Sequence, residues 1–188
     1  AHIAHQHKQN YADLLRWKIA QTLSGPEVNL YDYRLLAELE EDPAYLLDAA
    51  RKLISVGDTQ QAFSIIDDLA TNYEPQTLAD VRAQAYLQLE QPDMAVATYQ
   101  DYLTEFGSDA EIEQALADVH MQSGDYQSVI DLYQGIWNDE QGLGYDGLSN
   151  LTLALLINGD ITHATKMHQH MRENSRYDFQ QHDLDALQ

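Results

Sequence analysis

Residues 50–69 read ARKLISVGDTQQAFSIIDDL, a turn with apolar residues at helical spacing on both sides. Gly57 can adopt the left-handed conformation that ends a helix. Asp58 follows it, and its carboxylate can accept hydrogen bonds from the first backbone amides of the next helix. Gln61 lies three residues after Asp58, which is the spacing of a capping box. This segment therefore predicts two antiparallel helices joined by a tight turn.

The same turn recurs along the chain at a nearly constant interval. The third residues of the four turns fall 34, 33 and 35 positions apart, and they are Asp58, Pro92, Asp125 and Asp160. Glycine precedes the Asp in three turns, and Glu90 stands in its place in the other. Such a period indicates an array of repeated supersecondary units.

The residues around each turn repeat as well. Seven residues before the turn glycine, or before Glu90, the residue is mostly small: Ala50, Ala83, Ala117 and Thr152. Five residues after it, the residue is again mostly small: Ala62, Ala95, Val129 and Ala164. Mostly large residues follow four later, at Ile66, Tyr99, Tyr133 and His168. Small residues allow two helices to approach closely, and large residues fill the seam between them.

This set of positions resembles the tetratricopeptide repeat, in four units over about residues 43–173. The resemblance implies an all-α fold, a right-handed α-solenoid of antiparallel helix pairs. We expect these pairs at 43–56 with 59–72, 76–89 with 92–105, 109–122 with 126–138, and 145–157 with 161–173. Ser108 to Glu111 has capping-box spacing and is predicted to open one helix. Val129, His120 and His168 depart from the family pattern.

Three segments follow from this organisation. Residues 1–42 are predicted to form a divergent N-terminal helix pair or cap, and residues 43–173 the four repeat-like pairs. Residues 174–188 are polar and are expected to form a C-terminal tail or capping helix. The longest loop is predicted at residues 138–147, which contain three glycines.

Composition excludes several classes of function. Asp and Glu total 31 against 10 Lys and Arg, a net charge of −21, which disfavours nucleic acid and anionic membranes as partners. There is no cysteine, and no apolar run approaches the length of a membrane span. We therefore expect a soluble segment without membrane insertion. The Gln- and Asp-rich composition suggests a bacterial protein of the cytoplasm or periplasm.

No pattern of residues points to an enzyme. A phosphate-binding glycine loop, a nucleophile elbow and a His-Glu zinc helix are all lacking from the sequence. We predict no catalytic residue and no cofactor. His163, His168 and His170 with two nearby methionines would suit a soft metal, but His168 falls on a repeat core position, so no metal site is predicted. Residues 150–152 match an N-glycosylation sequon, but they lie inside a predicted helix. We therefore interpret Asn150 as a structural residue and not as a glycosylation site.

In the resembled family, the first helices of successive pairs line a concave groove that binds peptides or partner helices. Helical spacing places nine residues of this chain on that surface: Leu47, Arg51, Asp80, Gln84, Glu111, Gln114, Asp118, Asp146 and Ser149. Family members that bind chaperone tails hold the terminal carboxylate with a clamp of Lys, Arg and Asn side chains. Among the nine residues here only Arg51 is cationic, so we do not expect this clamp.

The acidic lining favours another protein as partner, bound through a basic or amphipathic segment. The plainer interpretation is that these carboxylates keep the array in solution. Two alternative functions stay open. One is a self-assembly module, suggested by the apolar residues 151–157 and giving a homo-oligomer. The other is a carrier of a small ligand, either a metal at the histidines or a cationic saccharide in the groove.

Overall fold

The computed structural model describes residues 2–22, 25, 27–134 and 143–172. All regular structure within these ranges is α-helical, which confirms the predicted all-α class. The helices are α1 (His2–Thr22), α2 (Leu30–Glu40), α3 (Ala44–Ser55), α4 (Thr59–Leu69), α5 (Pro75–Gln88), α6 (Pro92–Phe106), α7 (Ala110–Ser123), α8 (Tyr126–Gln134), α9 (Tyr145–Ile157) and α10 (161–172). The predicted tail at 174–188 lies outside the described residues.

The chain divides into two compact units, Ala1–Tyr102 and Leu103–Gln188. In the first unit each of α1 to α4 packs on the next helix, and α3 also packs on α5. In the second unit α7 packs on both α8 and α9. Helices α3 and α7 thus each touch their own partner and the first helix of the next pair, as in helical-hairpin repeat arrays. We call α1, α3, α5, α7 and α9 the first helices, and the even-numbered ones the second helices.

The turn between α3 and α4 forms as the sequence predicts. Gly57 has a φ of 86°, its N–H donates to the carbonyl of Ile54 at 3.0 Å, and the N–H of Asp58 donates to Leu53 at 2.9 Å. These two bonds satisfy two of the last four carbonyls of α3. The Asp58 carboxylate accepts from the Gln61 N–H at 3.2 Å and from the Gln61 side-chain amide. The cap therefore forms, although the Gln61 side chain binds the carboxylate of Asp58 and not its backbone.

The other three turns share this backbone conformation. Gly124 and Gly159 have φ values of 77° and 84°, and Glu90 has a φ of 58°. The residue after each donates its N–H five residues back, as Gln91 does to Tyr86 at 3.0 Å. Glu90 therefore holds a conformation that glycine adopts more easily.

One predicted helix start is wrong by one residue. Asp109, and not Ser108, caps α7, because its carboxylate accepts from the N–H groups of Glu111 at 3.0 Å and Ile112 at 3.2 Å. Ser108 instead donates its hydroxyl to Glu113 at 2.7 Å. A charged acceptor that reaches two amides is the stronger cap at this position.

The core is built from the predicted small and large positions. Seven of the eight small positions are almost fully buried, and so are the large residues Ile66, Tyr99 and Tyr133; the seven are Ala50, Ala62, Ala83, Ala95, Ala117, Val129 and Ala164. The eighth, Thr152, is half-buried and donates its hydroxyl to Leu148 at 2.7 Å. The prediction that His168 faces the core is wrong, because α10 turns Ala164 and Met171 inward and leaves His168 exposed.

Candidate functional site

On α5, two of the predicted groove residues form a hydrogen-bonded pair. Asp80 and Gln84 lie one helical turn apart, and Gln84 donates its side-chain amide to Asp80 Oδ2 at 2.7 Å. Tyr99 of α6 is 2% exposed and donates its hydroxyl to Asp80 Oδ1 at 3.0 Å. The half-buried carboxylate of Asp80 is thereby held in one orientation.

On α7, the equivalent positions carry the same two residue types in reverse order. Gln114 donates its side-chain amide to Asp118 Oδ1 at 2.9 Å, and Tyr133 of α8 donates its hydroxyl to Gln114 Oε1 at 3.2 Å. Each of these three residues lies 34 positions after its counterpart in the preceding repeat. Burial, together with the nearby Asp118 and Glu113, raises the pKa of Tyr133, so its hydroxyl stays a donor at neutral pH.

A fourth residue joins this network from α9. Asn150 donates its side-chain amide to Asp118 Oδ1 at 2.6 Å and so links two first helices. Gly147, one turn earlier on α9, is buried, and a Cβ there would lie 3.3 Å from Gln114 Oε1 and 3.5 Å from the Tyr133 hydroxyl. The predicted helix start at residue 145 is confirmed, so the loop predicted at 138–147 ends before Tyr145; residues 138–142 of that loop lie outside the described residues. In the sequence, Asn150 is recognisable only as part of a sequon, although it lies one turn after Asp146 on the same helix.

The other predicted groove residues differ in exposure. Leu47 is 2% exposed and packs in the core of the first unit, so it offers no surface to a partner. Arg51 is exposed and lies 3.8 Å from Asp48. Glu111, Asp146 and Ser149 are exposed. The structure thus brings Gln114 and Asp118 together within the second unit, and Asp80 and Gln84 together within the first.

One face of α9 carries exposed apolar side chains. Leu153, Leu156 and Ile157 are 47%, 49% and 51% exposed, whereas Leu151 and Leu155 are buried in the core. The spacing of Asp146, Ser149, Leu153 and Leu156 places them on one side of the helix. We call these four residues with Ile157 the α9 strip; it is polar at its start and apolar at its end.

Among the histidines of α10, His163 forms hydrogen bonds at the start of the helix. The His163 N–H donates to Asp160 Oδ1 at 3.1 Å, and its ring Nδ1 lies 2.6 Å from Asp160 Oδ2. These hydrogen bonds from His163 lower the pKa of Asp160. Within the described ranges, no group of three His, Cys, Asp or Glu side chains is placed to hold a metal ion.

Comparison with known proteins identifies no family for this chain. The chain matches no protein-family model, and no curated protein matches it. The tetratricopeptide resemblance therefore stays a prediction from the residues quoted above. Among the described helices, none is both long and apolar enough to cross a membrane.

Proposed function

We propose that this chain is a non-enzymatic interaction module of the tetratricopeptide type. In the proposal, α7 and α9 of the second unit bind a basic, amphipathic segment of another protein. The observation that supports it is that the exposed leucines and the Asp146 carboxylate of the α9 strip share one helix face, beside the Gln114–Asp118–Asn150 network of α7 and α9.

The electrostatics of this surface favour a cationic partner. Glu111, Asp118 and Asp146 bring three carboxylates to α7 and α9, and no lysine or arginine occurs in the sequence between Arg82 and Lys166. Asp118 accepts two amide hydrogen bonds, yet a carboxylate has about four acceptor positions. It can therefore receive a further donor from a partner without losing the contacts that orient it.

The apolar end of the α9 strip supplies the second half of the recognition. An exposed leucine that becomes buried contributes up to about 1.5–3 kcal/mol, and contiguous exposed apolar side chains often mark interaction sites. An amphipathic helix with basic residues beside leucines matches both ends of the strip. Because the acid–amide network is already ordered, binding does not have to immobilise it.

Calorimetry with a basic amphipathic helical peptide tests the proposal. The double variant Leu153→Gln, Leu156→Gln should weaken binding at least about tenfold, the equivalent of about 1.4 kcal/mol. Leu89→Gln is the matched control, since Leu89 is 42% exposed and lies at the end of α5. Equal affinity of the wild type and the double variant, or equal weakening by the control, would remove α9 from the binding surface.

Self-assembly is the second candidate, and the exposed Leu153, Leu156 and Ile157 favour it too. In that case α9 would pack on a second copy of the chain, against the repulsion between two molecules of charge −21. Sedimentation of the wild type at micromolar concentration separates the two functions. A dimer that the Leu153→Gln, Leu156→Gln variant abolishes supports assembly, and a monomer rules it out at that concentration.

A further inference from the structure

A cavity of about 460 Å³ opens in the first unit between the second helices α2 and α4. Its floor is apolar, made by Ala37, Pro43, Leu46 and Ile65. Its rim is polar and includes the side chains of Arg34, Glu38, Glu41, Asp42 and Asp68. We call this the α2–α4 cavity. It belongs to a different unit and a different set of helices from the α9 strip.

The rim carries an excess of negative charge. Four carboxylates stand against one guanidinium among the lining residues. Asp42 accepts the N–H of Ala44 at 2.9 Å, and Glu41 lies 3.6 Å from Lys8, with 85% of the Glu41 side chain exposed. Glu38 is exposed and forms no ion pair with any residue that the structure describes. The internal contacts therefore leave the rim net negative.

Arg34 already shows how a cation sits at this rim. Its guanidinium lies 3.7 Å from the Asp68 carboxylate, across the cavity from α2 to α4. Both side chains are more than half exposed, at 53% and 63%, so the contact is weak and Arg34 can turn away. Asp68 is thus in a position to accept a guanidinium from another molecule.

We infer that the α2–α4 cavity binds a cationic side chain of a peptide segment from another protein, flanked by apolar residues. The volume lies within the about 300–1,000 Å³ typical of ligand pockets. Arginine and lysine place their aliphatic stems on apolar surface and keep the charged head among polar groups, which is the arrangement of floor and rim here. A second copy of this chain is a poor occupant because it carries the same charge of −21.

The geometry assigns a role to each part of the cavity. Pro43 and Leu46, which are half-buried, contact the stem and the flanking apolar side chains, while Glu38 and Asp68 bind the head from opposite walls. Arg34 competes for Asp68 and also lowers the negative charge. Its removal should therefore strengthen binding, an effect opposite to that of removing a carboxylate.

Nuclear magnetic resonance titration of the full chain tests this inference. The probe is an acetylated, amidated pentapeptide with arginine between two leucines, and the matched probe has glutamine in place of the arginine. The arginine peptide should cause saturable shifts in the backbone amides of residues 34–46 and 65–72. The glutamine peptide should bind about fivefold more weakly, the effect of one partly exposed charge contact. Equal binding of the two peptides, or shifts confined to residues outside these ranges, would overturn the inference.

Four variants make the test specific. Glu38→Gln should weaken the arginine peptide about two- to fivefold, and Arg34→Gln should strengthen it by a similar factor. Glu27→Gln is the control, because Glu27 is an exposed carboxylate of the same unit that does not line the cavity. Weaker binding to Arg34→Gln, or an equal loss in Glu27→Gln and Glu38→Gln, would contradict the inference. The Leu153→Gln, Leu156→Gln variant should bind this peptide normally, so the result is independent of the α9 strip.

Discussion

The turn residue Glu90 allows a sharp test of the repeat, because it is the one non-glycine among four equivalent left-handed turns. A side chain in this conformation costs about 1–2 kcal/mol, and glycine avoids that cost. Glycine also increases the entropy of the unfolded chain, which opposes the gain by about 0.4–1 kcal/mol. Glu90→Gly should therefore raise the free energy of unfolding by about 0.5–1 kcal/mol, measured by urea denaturation with circular dichroism.

Two further variants separate the backbone effect from the loss of the side chain. Glu90→Ala removes the carboxylate but keeps the strained φ, so it should change stability by less than about 0.5 kcal/mol. Gly57→Ala should cost about 1 kcal/mol. A Cβ on Gly57 would meet no atom within 4 Å, so this loss is conformational and not a clash. A destabilised Glu90→Gly protein, or an unaffected Gly57→Ala protein, would refute the reasoning.

The remaining predictions concern side-chain hydrogen bonds. Tyr99→Phe should lower the free energy of unfolding by about 1.5 kcal/mol or more, because the Tyr99 hydroxyl donates to a carboxylate. Tyr133→Phe should lower it by about 1 kcal/mol, because the Tyr133 hydroxyl donates to a neutral amide. Equal losses of the two variants in urea denaturation would argue against this reasoning. Asp58→Ala should cost about 1 kcal/mol by removing the cap of α4, while Asp58→Asn should retain most of the stability; thermal unfolding of the pair checks this. Hydrogen bonds from Ser128, and then His120, lower the pKa of Asp125, as those from His163 lower the pKa of Asp160. In the folded protein both pKa values lie below the value of about 3.9 for an unfolded Asp. The contribution of each carboxylate to stability is therefore complete above that pH, and it is lost as the pH falls through the folded pKa. Carbon-13 titration of both carboxyl groups should give midpoints below that of the unfolded chain; ordinary midpoints would contradict it.

The helix pairs follow from the sequence because their determinants are local. Gly57, Gly124 and Gly159 are needed where φ is positive, and Asp58 caps the helix that begins one residue later. The buried alanines follow from a period that repeats every 33 to 35 residues. The turns and caps depend on neighbours within one helical turn, and the alanines recur at fixed distances from each turn, so both can be predicted from one sequence.

The features that sequence analysis missed depend on neighbours far apart in the chain. Asn150 reaches Asp118 across 32 positions, and the α2–α4 cavity joins side chains of separate helices. Leu47 has the spacing of a surface residue, yet it packs in the same core cluster as Tyr33 of α2 and is buried. Periodicity identifies which residues share a helix face, but it does not show which neighbours cover that face.

Chemical-shift mapping on the isotopically labelled full chain tests most directly whether the second unit carries the partner site. A basic amphipathic helical peptide is titrated, and the backbone amides of both units are followed together. We expect saturable shifts concentrated in residues 111–121 of α7 and 146–157 of α9, and their loss in the Leu153→Gln, Leu156→Gln variant. Shifts confined to the first unit, or none at millimolar peptide, would contradict a binding surface on these two helices.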